Sequence, residues 1–162
     1  MPQLDFFLDP LCPFAWQTSR WVRQVQPERG FDVHWRFVSL AILHADDDAA
    51  REGTYAELLR LGAGVHRVLA ATRERVGNDA VGRLYEAWGT ALWHGPEAEV
   101  AEVARDIEVP KLLADLGLPT ELAEMADATA GAAHQRMVAE ETALALERAG
   151  DDIGTPVITL PG

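Results

Sequence analysis

The chain has 162 residues, 48% of them hydrophobic and 25% charged, the size and composition of one soluble globular domain with a real core, which excludes disorder for most of its length. Its 14 Lys plus Arg stand against 26 Asp plus Glu, a formal charge of -12, so phosphate backbones and anionic lipid surfaces are repelled, and neither nucleic acid nor a membrane is an expected partner. No stretch approaches the about 20 consecutive apolar residues of a membrane span, and the first residues lack a signal peptide's basic and apolar regions, so the expected compartment is the cytoplasm.

In chain order, Leu4 to Leu8 reads as a short apolar strand, stopped by Asp9-Pro10 because proline gives no donor to a sheet ladder. Pro13 suits a first helical turn, and Phe14, Thr18, Trp21, Val22 and Val25 follow at helical spacing up to a break at Gln26-Pro27-Glu28-Arg29-Gly30. Phe31, Val33, Trp35 and Phe37 then alternate with polar residues, the period of a half-buried strand. Strand, helix and parallel strand put the loop after the first strand at the carboxyl edge of the sheet, where ligands tend to bind.

From about residue 45 to 149 the chain is alanine-rich, charged and punctuated by glycine and proline at helix-length intervals, which predicts a helical block. Thr54 is expected to cap one helix, the Gly62-Ala63-Gly64 step to break it, and Gly77 to end the helix that resumes with Val65, Val68 and Leu69. Val81, Leu84, Tyr85, Trp88 and Leu92 mark a second face. Pro96 and Pro110 each open a further helix, Thr120 caps another, and a last long helix stops at Gly150. Thr155-Pro156 then leads into a β-branched run ending in Pro161-Gly162, read as a third strand.

Cys12 is the one cysteine, so no internal disulfide is possible, and its thiol is either inert core or chemistry. A helix N-terminus favours the thiolate, the form that acts as a nucleophile. Spacing alone leaves the buried structural cysteine and the nucleophile equally open.

The segment Asp9-Pro10-Leu11-Cys12-Pro13-Phe14-Ala15-Trp16, continued by Thr18-Ser19-Arg20-Trp21, resembles the active-site segment of DsbA-like thioredoxin-fold proteins, especially their mycothiol-dependent nitroreductase branch. Ser39-Leu40-Ala41-Ile42-Leu43, Leu116-Gly117-Leu118-Pro119 and Gly154-Thr155-Pro156 are similar to that branch too. The resemblance implies an α/β, thioredoxin-like fold with an inserted α-helical domain. Residues 1–44 would be its β-α-β first half, 45–150 the insert, and 151–162 the start of a second half whose final strand and helix are missing. It implies a catalytic Cys12, a cis-proline loop at Thr155 and Pro156 facing it, and substrate contacts from Pro13, Phe14, Trp16, Thr155 and Pro156.

The family pattern is Cys-x-x-Cys, and Ala15 stands in the second position. Without a resolving thiol, release of a mixed disulfide passes to an external low-molecular-weight thiol such as mycothiol or glutathione, with no tightly bound cofactor. Two other readings share the layout. One is a glutathione-transferase-kappa-like or chromene-carboxylate-isomerase-like enzyme acting on a bound thiol, and the other is a redox-inactive thioredoxin-like binding module. For Trp16 and Trp21, packing in the core is the expected role.

The five histidines, His34, His44, His66, His94 and His134, show no metal-ligand spacing, so no metal is expected. Gly62-Ala63-Gly64 lacks the lysine of a phosphate loop, and Asp46-Asp47-Asp48 reads as solvated surface. An unpaired strand edge leaves a homodimer open.

Overall fold

The branched and aromatic run Gln3–Leu8 forms β1 at the centre of a three-stranded sheet of order β2-β1-β3 in the computed structural model, which describes residues 2–95 and 99–160. β2, Asp32–Phe37, lies parallel to it with Leu8 opposite Phe37. β3, Val157–Thr159, lies antiparallel with Phe7 opposite Val157. The predicted strands are thus present. The third is shorter than its β-branched run suggests, and Pro161 and Gly162 lie outside the described residues.

A central strand must bury both faces, and β1 does so: Phe6, Phe7 and Leu8 have no exposed surface. Phe6 and Leu8 join Trp35 and Phe37 of β2 against the main helical core, whereas Phe7 and Val157 pack with Ala145 on the opposite face. The alternation in β2 is as expected, but its polar side meets protein as well as water. Arg36 bonds Asp5 at 3.1 Å and Glu141 at 3.1 Å, and Arg148 reaches Asp5 at 2.6 Å, from the last long helix. Charge pairing therefore holds that helix to the sheet.

The crossover helix α1, Pro13–Arg29, carries two corrections to the sequence reading. It runs through Pro27 and ends at Gly30, which adopts the left-handed conformation of a C-cap. Pro27 sits in the last turn, where its missing N–H forfeits a single bond. Its buried face is Ala15, Trp16, Ser19 and Val22, while Phe14 is 73% and Trp21 60% exposed. Small residues let the helix lie close to its neighbours, so size-based reading of the apolar stripe chose the wrong face. Trp21, expected in the core, faces solvent.

Beyond α2, Leu40–Leu43, the helical block holds α3 (Gly53–Arg75), α4 (Asn78–Leu92), α5 (Val100–Asp106), α6 (Val109–Asp115) and α7 (Ala132–Ala149). α3 is unbroken through Gly62-Ala63-Gly64. There the missing Cβ atoms admit neighbours instead of ending the helix: a Cβ on Gly62 would lie 3.1 Å from the Leu11 side chain, and one on Gly64 3.3 Å from the Ala126 carbonyl. α3 starts at Gly53 with no side-chain cap, so Thr54 is not its cap; Thr120 likewise begins a short 3-10 helix after Pro119 without capping it. Gly77 follows the end of α3, Pro110 opens α6 and Gly150 ends α7 as expected. Pro96, expected to open a helix, lies outside the described residues. No described helix is long and apolar enough to cross a membrane.

Candidate functional site

Where β1 ends, the chain turns through Asp9-Pro10-Leu11 and enters α1, and Cys12 is the N-cap of that helix. Its thiol takes the place that a Ser or Asp oxygen usually occupies: the Ala15 N–H donates to Sγ at 3.4 Å. The sulfur thus faces the otherwise unpaired N–H groups of the first helical turn. On its other side, Sγ–H donates to the carbonyl oxygen of Thr155 at 3.5 Å. The Thr155–Pro156 bond is cis, and Pro156 enters β3 beside β1. Cys12 is only 5% exposed.

A set of buried polar groups fixes this turn. Asp9, 3% exposed, accepts from the Leu11 N–H and from the Leu40 N–H, both at 2.8 Å, and so ties the cysteine loop to the start of α2. Trp88 of α4 donates its indole N–H to the Pro10 carbonyl at 2.8 Å. His66 of α3 has no exposed surface; its Nε2 donates to the Leu8 carbonyl at 2.9 Å, and its Nδ1 stands 3.9 Å from an Asp9 oxygen. α3 and α4 of the helical block, together with the start of α2, thus grip the turn that presents the thiol. Sequence reading missed all three side chains. Asp9 was legible as a strand stop, Trp88 as an apolar position and His66 as a failed metal ligand, and no local pattern reveals that a fold will bring them to one loop.

Of the sequence-predicted residues, Cys12, Thr155 and Pro156 meet. Pro13 is the first helical residue and exposed, and Phe14 projects its ring into solvent one position on. Trp16 is buried, edge-on to Tyr85 with ring centroids 5.8 Å apart. Burial holds the Tyr85 phenol far above its usual pKa, so it stays protonated. The Thr155 hydroxyl is buried and has no hydrogen-bond partner among the described residues. Such a group is commonly completed by a ligand or water. Among the described residues no three His, Cys, Asp or Glu side chains converge as metal ligands.

A groove of about 350 Å³ opens beside Trp16, between α1 and the end of α4, and is lined also by Arg20, Thr90, Trp93 and His94. A larger cavity of about 520 Å³, around Asn78 and Asp79, lies at the other end of β2 and is not lined by Cys12 or its neighbours. Neither is lined by Cys12; the smaller groove begins at Trp16, one turn along α1 from the cysteine, and a narrow pocket lined by Asp9, Leu11, Leu40 and Tyr55 flanks the cysteine loop on its other side.

With this geometry in view, likeness to known proteins is informative. A family model described as Rv2466c-like, mycothiol-dependent nitroreductase Rv2466c, matches residues 11–162. The chain is 32% identical over 155 residues to uncharacterized protein Rv2286c of Mycobacterium tuberculosis, a match covering 86% of this chain and 60% of that one. It therefore spans about 60% of the length of the curated relative it matches. The cytosolic disulfide reductase DsbM from Pseudomonas aeruginosa superposes with a TM-score of 0.63 at 19% identity, over 99% of this chain and 85% of that one. Its structure with GSH gives 0.62 at 18%, over 99% and 89%. At those identities the likeness carries the fold, which is the thioredoxin-like one.

Proposed function

The chain belongs to the Rv2466c-like family of mycothiol-dependent nitroreductases, and on that footing we propose that it is a cytoplasmic thiol-disulfide oxidoreductase working through Cys12 alone. The observation that carries this reading is the thiol itself, capping α1 with Ala15 N–H on one side and the Thr155 carbonyl on the other. As thiolate, Cys12 attacks one sulfur of a disulfide, the old S–S bond breaks, and the electron pair leaves on the far sulfur. Cys12 is then held as a mixed disulfide. Ala15 brings no second sulfur, so an external low-molecular-weight thiol, mycothiol or glutathione, attacks the mixed disulfide and returns Cys12 to its reduced state.

The substrate-binding residues in this reading are Pro13, Phe14, Trp16, Thr155 and Pro156. Thr155 offers a backbone carbonyl and an unpartnered hydroxyl to the incoming thiol, Phe14 offers an exposed ring, and Pro13 and Trp16 set the start of the helix. Residues 45–150 act as a helical insert whose side chains hold the cysteine loop. Support comes from family membership, from the DsbM-like fold and from the buried hydrogen bonds at Asp9, Trp88 and His66.

The test is disulfide reduction driven by mycothiol or glutathione, with Cys12→Ser alongside. Loss of turnover in Cys12→Ser is the expected result. Retention of most of it would overturn the reading in favour of an enzyme that activates a bound thiol, which the absence of sulfur at Ala15 also suits.

A further inference from the structure

Trp16, Arg20 and Arg23 recur at helical spacing along α1 and all line the groove, a stripe that begins one turn beyond the N-cap Cys12. Trp16 is one turn beyond Cys12, and Arg20 about 12 Å along the axis. Long helical side chains lean back toward the N-terminus, which brings the guanidinium of Arg20 toward Trp16 and the thiol end. Across the groove stand Trp93 and His94, just past α4. Two tryptophans thus face one channel from opposite elements, and the Trp93 indole N–H is buried with no acceptor among the described residues.

The charge of the groove runs against that of the molecule. On a chain of formal charge -12, its lining holds Arg20 and Arg23 against a single acid, Glu86. Glu86 is answered by Arg23, whose guanidinium lies 3.3 Å from it, donates to the Gly82 carbonyl at 2.7 Å and stacks on Trp35 at 4.6 Å. Arg20 is exposed and has no ion-pair partner among the described residues. An anionic ligand meets a locally positive channel there, and the long-range repulsion of the acidic surface makes that local charge selective.

We propose that this groove is a subsite for the aromatic, carboxylate-bearing half of a disulfide that Cys12 attacks. Trp16 and Trp93 supply the aromatic walls, the Trp93 N–H a donor, and Arg20 the positive end. The volume of about 350 Å³ suits one substituted ring. The inference rests on Cys12 being the nucleophile. In the step, a bond forms between Sγ and the sulfur on the ring that occupies the groove, the original S–S bond breaks, and the other half leaves as a thiolate. One external thiol then attacks Sγ and releases the bound half as its own thiol, and a second attacks the resulting mixed disulfide, leaving as the external thiol's disulfide and returning Cys12 to its reduced state.

The experiment compares the rate at which Cys12 reacts with an anionic aromatic disulfide, dithiobis-nitrobenzoate, and with a neutral one, dithiodipyridine. Wild type, Arg20→Glu and, as a control of equal charge change, Arg136→Glu on the exposed part of α7 are each measured. Arg20→Glu is expected to lower the ratio of anionic to neutral rate roughly tenfold, as loss of a charge-assisted contact implies, while Arg136→Glu keeps the wild-type ratio. Equal ratios in all three proteins overturn the subsite and leave Cys12 chemistry standing. A thiol unreactive toward both reagents overturns both. Tryptophan fluorescence with nitrobenzoate and uncharged nitrobenzamide, in Cys12→Ser, reads the groove without the thiol: a response to the anion that Arg20→Glu abolishes supports it, and no discrimination between the two contradicts it.

Discussion

Sγ of Cys12 lies 3.5 Å from the carbonyl oxygen of Thr155, a residue 143 positions further along the chain. That contact joins the first strand-to-helix turn to the entry of β3, so the thiol occupies a seam between the adjacent strands β1 and β3. The same residue carries a buried hydroxyl with no hydrogen-bond partner among the described residues.

Asp9→Ala tests what holds the turn. It strips two half-buried backbone donors, the N–H groups of Leu11 and Leu40, of their acceptor. At about 1–3 kcal/mol for each unsatisfied donor, the variant should lose roughly 2–4 kcal/mol in denaturant unfolding and react more slowly at Cys12. An unfolding midpoint equal to wild type would contradict the assigned role of Asp9.

Ala15→Cys restores the Cys-x-x-Cys spacing on the first turn of α1. Under oxidant this variant should close an internal disulfide, visible as loss of both free thiols and of two hydrogens from the intact mass, and its mixed disulfides should resolve without added thiol. Ala15 is fully buried, so some stability is lost through the extra volume. Two thiols that stay free after oxidation would count against the helix-start geometry of Cys12.

Most of the scaffold was legible because it is written in local patterns. The apolar run of β1, the alternation of β2, Pro13 at a helix start and Thr155-Pro156 before a β-branched run each act within a few residues. What stayed hidden depends on distant partners. Gly62 and Gly64 look like helix breakers until Leu11 and Ala126 are seen against them. The buried face of α1 uses Ala15 and Ser19, too small to stand out, and the Ser19 hydroxyl is satisfied within the helix by the Trp16 carbonyl at 2.7 Å. Asp9, His66 and Trp88 act together through the fold alone. The cysteine was visible; its support was not.

Gly89→Ala probes the closeness of α4 to α1. A Cβ there would overlap the six-membered ring of Trp16, so the ring must move or the helices part. The expected cost is about 1–3 kcal/mol, with a change in tryptophan fluorescence. Unchanged stability together with an unchanged spectrum would contradict the packing described.

Acid should weaken the junction of β1, β2 and α7. Burial acts to raise the Asp5 carboxyl, but hydrogen bonds from Arg148 and Arg36 outweigh it and hold its pKa below the ordinary value. A depressed folded pKa means the unfolded chain binds the proton more tightly. The stabilisation is therefore complete above the unfolded value of about 3.9 and disappears as pH falls through the lower folded value. Asp5→Asn should be less stable than wild type near neutrality, and the two melting temperatures should converge as pH falls below the ordinary carboxylate range. Parallel curves across that range would rule out the linkage.

The most direct measurement of the central claim is intact-mass analysis after exposure to the oxidised forms of mycothiol and glutathione, with Cys12→Ser as the blank. The account predicts one thiol adduct on the wild type, none on Cys12→Ser, and complete reversal when the reduced low-molecular-weight thiol is added. A wild-type chain that takes no adduct under conditions where a free model thiol does, or an adduct that external thiol fails to remove, would contradict Cys12 as the nucleophile of a monothiol cycle.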